Sequence, residues 1–362
     1  MSLLRSVATQ SRRIDCDVHN AVADISALFP YLPPRWSDYC VEHGVDSLAP
    51  SYYPPGMPFS ARPESRTGEG PPGSDQAGVA GHVLDGTADH AILNCLYGVQ
   101  PIHNEDWALA MTRALNDWQA EHWLAADPRW RASIVLPPHN PDRAAEEVER
   151  LASHPGFVQV LLLAYSEMPL GRRFYWPIYA AAARHGLPVA VHPGVAGGNA
   201  LLPTGWPSYC IEDYAGAAGV MQSQLISLVC EGVFSKHPDL RVVLQESGVT
   251  WVPSLMWRLD KNWKGLRREV PWVDRLPSEV IREHVRFTVA PFDGPADGSA
   301  VRRLVEQIGS VDLLLYASDY PHWHHRDAEQ SLLRHLSDAE ASRVLHGNAA
   351  DLYGLDVTAA AN

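Results

Sequence analysis

The chain has 362 residues, of which 46% are apolar, and a formal net charge of −13. That apolar share supports a sizeable core and argues against disorder, while the negative charge disfavours nucleic acid and anionic membrane as partners. No apolar run approaches the ~18 residues of a membrane span, the stretch from Met1 to Arg13 lacks the apolar region of a signal peptide, and five cysteines without a CxxC pair read as reduced thiols of a cytoplasmic protein.

Short apolar runs alternate with helical patterns, the mark of a parallel sheet. The runs predict strands at Arg13–His19, His90–Leu96, Ala132–Leu136, Phe157–Leu163, Pro188–His192, Arg241–Glu246, Val285–Ala290 and Leu313–Ser318. They are apolar on both faces, as strands covered inside and out must be. Helical spacing of Trp107, Met111, Leu115 and Trp118 marks Glu105–Ala125. Pro141–Ser153 opens with Pro and acids, and Phe174–His185 is closed by Gly186. Ala215–Phe234, Trp251–Asn262, Gly298–Ile308, Asp327–Leu336 and Asp338–Leu345 complete the set.

Eight such units predict an α/β chain folded as one (β/α)8 barrel domain over residues 1–362. The first connection is the exception. Residues 20–89 far exceed the about two to six residues usual for a βα loop, and the Pro- and Gly-rich middle, Pro50–Gly73, excludes a helix or central strand. It reads either as a lid or pocket wall over the catalytic face, or as a surface excursion that makes subunit contacts.

Polar residues close three of the apolar runs. Asp17 and His19 end the first, His192 the fifth and Asp319 the eighth. In a β/α barrel, strand C-termini converge on one face. Residues i and i+2 of a strand point the same way, so Asp17 and His19 enter the mouth together. Two His and two carboxylates form a mixed N/O set suited to Zn, Mn or Fe(II). Such an ion lowers the pKa of bound water to about 7 and polarises a substrate oxygen.

The segments Ile14-Asp-Cys-Asp-Val-His19, Pro188-Val-Ala-Val-His-Pro193, Phe234–Glu246, Ser318-Asp-Tyr-Pro-His322 and Gly347-Asn-Ala349 resemble the amidohydrolase superfamily. The similarity lies in its amidohydrolase-2 branch, which includes amino-carboxymuconate-semialdehyde decarboxylase and hydroxybenzoate-type decarboxylases. The resemblance spans Ile14 to Tyr353. It implies a distorted TIM barrel, one divalent ion (Zn or Mn), a first shell of Asp17, His19, His192 and Asp319, and a homodimer. Two positions depart from the family pattern. Asp17 stands where His is most common, and Glu246 stands where many relatives place a catalytic His. Glu246 can serve as acid or base, bind the metal, or simply cap the helix that begins near Thr250.

Around this centre, His322 follows Asp319 closely enough to touch substrate or back a ligand, whereas His324 and His325 read as exposed loop residues. Arg172 and Arg173 are candidates to clamp a substrate carboxylate, and Tyr165, Trp176 and Phe292 to line an apolar pocket. The expected function is hydrolysis of a C–N or C–O bond in a small carboxylated or aromatic molecule, with Glu246, Asp319 and His322 handling protons. Non-oxidative decarboxylation or hydration of a hydroxy-aryl or unsaturated acid is the alternative, and a non-catalytic ligand-binding barrel the third reading.

Overall fold

All eight predicted strands form. In the computed structural model, which describes residues 12–48, 61–66, 70–84, 88–194, 202, 204–322 and 331–355, they are β1 (Ile14–Val18), β2 (His90–Leu93), β3 (Trp130–Val135), β4 (Phe157–Leu163), β5 (Val189–His192), β6 (Val242–Leu244), β7 (Val285–Thr288) and β8 (Leu314–Leu315). They pair in parallel and in sequence order. The seam closes when Cys16 N–H donates to the Tyr316 carbonyl at 3.0 Å and Val18 bridges Tyr320 in parallel. The fold is a TIM barrel with an irregular seam, since β8 keeps only two residues of regular pairing.

Apolar residues on both strand faces explain the layers. Every residue of β4 is buried, with one face toward the barrel interior and the other beneath the helices. The helices Glu105–Trp118, Pro141–Leu151, Trp176–Arg184, Cys210–Cys230, Val252–Leu266 and Gly298–Ile308 lie near their predicted places. Asn104 and Asn140 cap the first two, accepting from the N–H groups of Trp107 and Arg143. An additional helix, Pro277–His284, precedes β7. Its eight residues are too few for a clear apolar period, yet it buries Val280 and Ile281. Of the predicted Asp327–Leu336 helix, residues 327–330 lie outside the described residues, and Leu333–His335 forms a short 3-10 turn. Among the described residues no helix is long and apolar enough to cross a membrane.

The long first connection carries structure of its own, with its two helices on either side of its Pro- and Gly-rich middle. It holds a 3-10 segment (Ile25–Tyr31), a helix (Pro34–His43), a 3-10 turn (Pro63–Ser65) and a second helix (Gln76–Val83). Ile25 and Leu28 are buried in the common core, so the segment is anchored by hydrophobic burial. It returns to the barrel mouth at Gly73, whose carbonyl accepts from Ala21 N–H at 3.0 Å. Gly73 has φ +87°, and a Cβ there would fall 2.3 Å from the His19 carbonyl oxygen, so only glycine fits.

Candidate metal centre

Asp17, His19, His192 and Asp319 meet at the C-terminal mouth of the barrel, all of them buried. Asp17 reaches both histidines. Its Oδ1 lies 3.6 Å from His19 Nε2 and its Oδ2 lies 3.5 Å from His192 Nε2. Asp319 Oδ1 is 3.2 Å from His19 Nε2. Glu246 enters from the end of β6, placing Oε2 3.3 Å from His192 Nε2. Atoms bound about 2.1 Å from one ion lie roughly 3.0–3.5 Å from each other, so these separations suit a shared cation.

Two further observations test that fit. Asp17 Oδ2 and both ring nitrogens of His192 are buried without a hydrogen-bond partner, a costly state for polar atoms unless something else satisfies them. Second, His19 donates from Nδ1 to the Asn94 carbonyl at 3.0 Å, which leaves the Nε2 lone pair facing the carboxylates. The residues fit a divalent ion. Electrostatics agrees. Burial alone would lower the His19 pKa, but the charges of Asp17, Asp319 and Glu246 outweigh it and raise it to about 10. Three converging carboxylates demand positive charge, and a bound metal meets that demand better than a proton. Beneath them, burial pushes Asp15 up to about 7, against hydrogen bonds from Ser318 and from the Asp17 amide.

Backbone geometry marks the same place. Among the described residues, only two non-glycine positions have positive φ, Glu246 at 48° and Asp319 at 57°. This region costs an ordinary residue roughly 1–2 kcal/mol, and such strain concentrates at functional sites. The structure also removes the capping reading of Glu246. Asp293 accepts the N–H groups of Val249 and Thr250, at 2.9 and 3.3 Å, while Glu246 faces His192.

Sequence reasoning missed the groups that hold Asp17. Asn94, at the end of β2, donates from Nδ2 to Asp17 Oδ1 at 2.7 Å. Its Oδ1 accepts from Ser133 and, at 3.2 Å, from Gln159, whose own Oε1 accepts from the Tyr353 hydroxyl at 2.7 Å. A chain of hydrogen bonds thus runs from the C-terminal helix through the barrel interior to the metal centre. The available signal was a polar residue inside or closing an apolar strand, as with Gln159 in Phe-Val-Gln-Val-Leu. Replacing Asn94 with Leu keeps the backbone carbonyl for His19 but frees the Asp17 carboxylate. Metal affinity is expected to fall about 10–100-fold, measured by competition with a chelator. Wild-type affinity in that variant would remove the positioning role.

His322 lies beside the cluster, with Nδ1 2.6 Å from Asp319 Oδ1 and its ring 4.8 Å from that of His19. His324 and His325 are outside the described residues. The remaining candidates are not brought to the ligands. Arg172 and Arg173 are exposed and lie 3.8 and 3.9 Å from Glu231, and Arg173 packs over Trp176 and Trp272. Tyr165 donates to Asp213 at 3.0 Å, and Phe292 packs against the core. None of these five lines the cavity of about 420 Å³ that opens at His19 and His322. That cavity is walled by Leu96 and Tyr97 and, from the long connection, by Val22, Ala61, Pro71 and Pro72. The connection is therefore a wall of this pocket.

A closed parallel barrel with a buried His/carboxylate cluster at its C-terminal mouth defines a metal-dependent barrel enzyme. Residues 14–355 match the amidohydrolase family model, and the chain belongs to that family as an enzyme of its hydrolase or carboxy-lyase kind. A curated relative, the gamma-resorcylate decarboxylase of Rhodococcus jostii (strain RHA1), is 28% identical over 275 residues, covering 71% of this chain and 80% of the relative. The crystal structure of 2,6-dihydroxybenzoate decarboxylase from Rhizobium superposes with a TM-score of 0.68 at 22% identity, covering 96% of this chain and 99% of that one. Dihydroxybenzoic acid decarboxylase from Polaromonas sp. JS666, solved with bound manganese and the inhibitor 2-nitroresorcinol, gives 0.67 at 21% identity, covering 95% and 97%.

Proposed function

We propose that this protein is a metal-dependent, non-oxidative decarboxylase of a small hydroxy-aryl acid, with Mn the first ion to try. The carrying observation is the clustering of Asp17, His192 and Asp319 around His19, in a chain whose relatives are decarboxylases of such acids. Hydrolysis, the leading expectation from sequence, gives way to the decarboxylase alternative because the curated relatives this chain matches include gamma-resorcylate decarboxylases from several bacteria.

Pocket chemistry supports this reading. The cavity is of a size to hold one aromatic ring, and its apolar walls suit a ring face. Among its described lining residues there is no Arg or Lys, while Asp24 and Asp46 line it. An acid entering this field would need the charge of the ion to hold it, because neither Arg172 nor Arg173 lines the pocket. When bound, the ion supplies positive charge to the substrate carboxylate and a neighbouring hydroxyl.

Loss of carbon dioxide breaks the ring–carboxyl bond and leaves its electron pair on the ring carbon, which must take up a proton. Glu246 stands 3.3 Å from His192, and Asp319 shares a 2.6 Å hydrogen bond with His322. Of the cluster, His19 and His322 line the cavity, Asp319 is hydrogen-bonded to both, and Glu246 lies in the same cluster against His192. We assign proton delivery to Glu246 and give the Asp319–His322 pair the task of holding the substrate hydroxyl. Tyr97, Leu96 and the residues of the long connection exclude water from the ring, so that segment acts as a lid over the mouth. The family match over residues 14–355 supports reading the chain as one barrel domain, and the five free thiols suit a reducing cytoplasm.

A hydrolase reading keeps one specific support, because Glu246 in place of His is a carboxylate suited to activating water. One assay separates the two. The manganese-loaded protein is incubated with 2,6-dihydroxybenzoate and related hydroxy-aryl acids, and released carbon dioxide is measured. Release by the wild type, abolished in Asp319→Asn, is expected. No release from any acid, with hydrolysis of small amides or lactones instead, would overturn the proposal.

A further inference from the structure

We propose that His103, His139 and Glu167 form a second divalent transition-metal site on the rim of the barrel mouth, where an ion clips three successive βα connections together. The three residues come from the connections after β2, β3 and β4. The Glu167 carboxylate lies across both imidazoles, with Oε1 3.2 Å from His103 Nε2 and Oε2 3.4 Å from His139 Nδ1. The rings stack with centroids 4.5 Å apart and planes inclined by 24°. One ligand atom from each residue falls within 4.8 Å of the others. Two nitrogens and a carboxylate at these separations match the spacing of ligands on one ion with bonds of about 2.1 Å. Such a set suits zinc, cobalt or nickel and leaves coordination positions for water.

His139 is built into the wall rather than carried on the surface. Its side chain is 16% exposed and it lines a small cavity with Gln100, Tyr165 and Leu170. Its Nε2 is buried without a hydrogen-bond partner, so Nδ1 is the nitrogen turned toward Glu167. Without an ion, each imidazole would hold an N–H toward the one carboxylate. A single divalent ion replaces both protons and satisfies all three groups.

The clip adjoins the elements that carry the main centre. Gln100 donates to the Leu161 carbonyl at 2.9 Å, and Leu163 of β4 pairs with His192 of β5. An ion at the rim therefore steadies one wall of the mouth without touching the reacting atoms.

The test is calorimetric titration of the metal-stripped full-length protein with zinc chloride, with bound metal confirmed by elemental mass spectrometry. The wild type is expected to take up two equivalents, Glu167→Gln one, His192→Ala one, and the combined variant none. His103→Ala, at a side chain 66% exposed, gives a second route to losing the rim site alone without disturbing the core. In cobalt-loaded His192→Ala protein, the visible absorption of the ion should disappear on adding Glu167→Gln. Uptake of a single equivalent by the wild type, lost entirely in His192→Ala, would overturn the rim site and leave the main centre intact. Unchanged uptake in both Glu167→Gln and His103→Ala would overturn it equally.

Discussion

His192→Ala is expected to leave a folded barrel that has lost its principal metal ion and nearly all turnover. His192 closes β5, is 1% exposed, and has neither ring nitrogen hydrogen-bonded. Its Nε2 stands between Asp17 Oδ2 and Glu246 Oε2, at 3.5 and 3.3 Å. Truncation removes one of the two nitrogen donors among the four assigned ligands and leaves the carboxylates of Asp17, Asp319 and Glu246 with less positive charge to meet them. Removal of a group that merely supports a ligand costs about 10–100-fold in affinity, so loss of the ligand itself should exceed ~100-fold. The ion's charge is worth several kcal/mol to the reaction, and each ~1.4 kcal/mol is a factor of ten. A fall in kcat of at least about a hundredfold follows, at metal concentrations that saturate the wild type. Stability reports on the same event. An ion at 100 times its Kd stabilises the folded state by about 2.7 kcal/mol, so chelation should lower the wild-type Tm measurably. Manganese should no longer raise the Tm of the variant. Retention of one tightly bound equivalent at the main centre would refute the ligand assignment.

Glu246→Gln is expected to separate binding from chemistry. The change preserves size and the left-handed backbone at φ 48° while removing the ability to exchange a proton. Its backbone N–H still donates to Thr288 Oγ1 at 3.0 Å, so the local fold has no reason to shift. A positioned acid or base contributes roughly 10²–10⁴ in rate. That is the expected loss in kcat, with metal content close to wild type. Elemental analysis and steady-state kinetics on one preparation decide the outcome. Loss of the ion together with activity would make Glu246 a ligand, whereas full activity would remove it from the chemistry.

The barrel was legible because its strands are apolar on both faces and are separated by amphipathic helices. That pattern placed all eight strands, with errors confined to their ends. β8 is the weakest case: six residues were expected and regular pairing covers two, because the chain leaves the ladder early and is held instead by single bonds to β1. The candidate centre was legible for a related reason. A polar residue closing an apolar run has few explanations, and Asp17, His19, His192 and Asp319 all close such runs.

Other residues needed three dimensions. Arg172 and Arg173 follow a strand as the ligands do, yet the chain carries them outward to Glu231. Asn94 does close β2, but its task depends on two partners, His19 and Asp17, more than seventy residues away in sequence. The helices of the first connection, Pro34–His43 and Gln76–Val83, are short, and tertiary contact with the barrel sustains them rather than an internal repeat.

By itself the sequence determined the alternation of strand and helix, the inward placement of four ligand-type side chains and an acidic surface, because burial and periodicity are local properties of the chain. Only the tertiary structure decided that Glu246 faces His192 instead of capping a helix, that the long connection walls the pocket, and that His103, His139 and Glu167 meet at the rim. Those outcomes depend on distances between segments far apart in sequence, which the curvature and closure of the barrel establish.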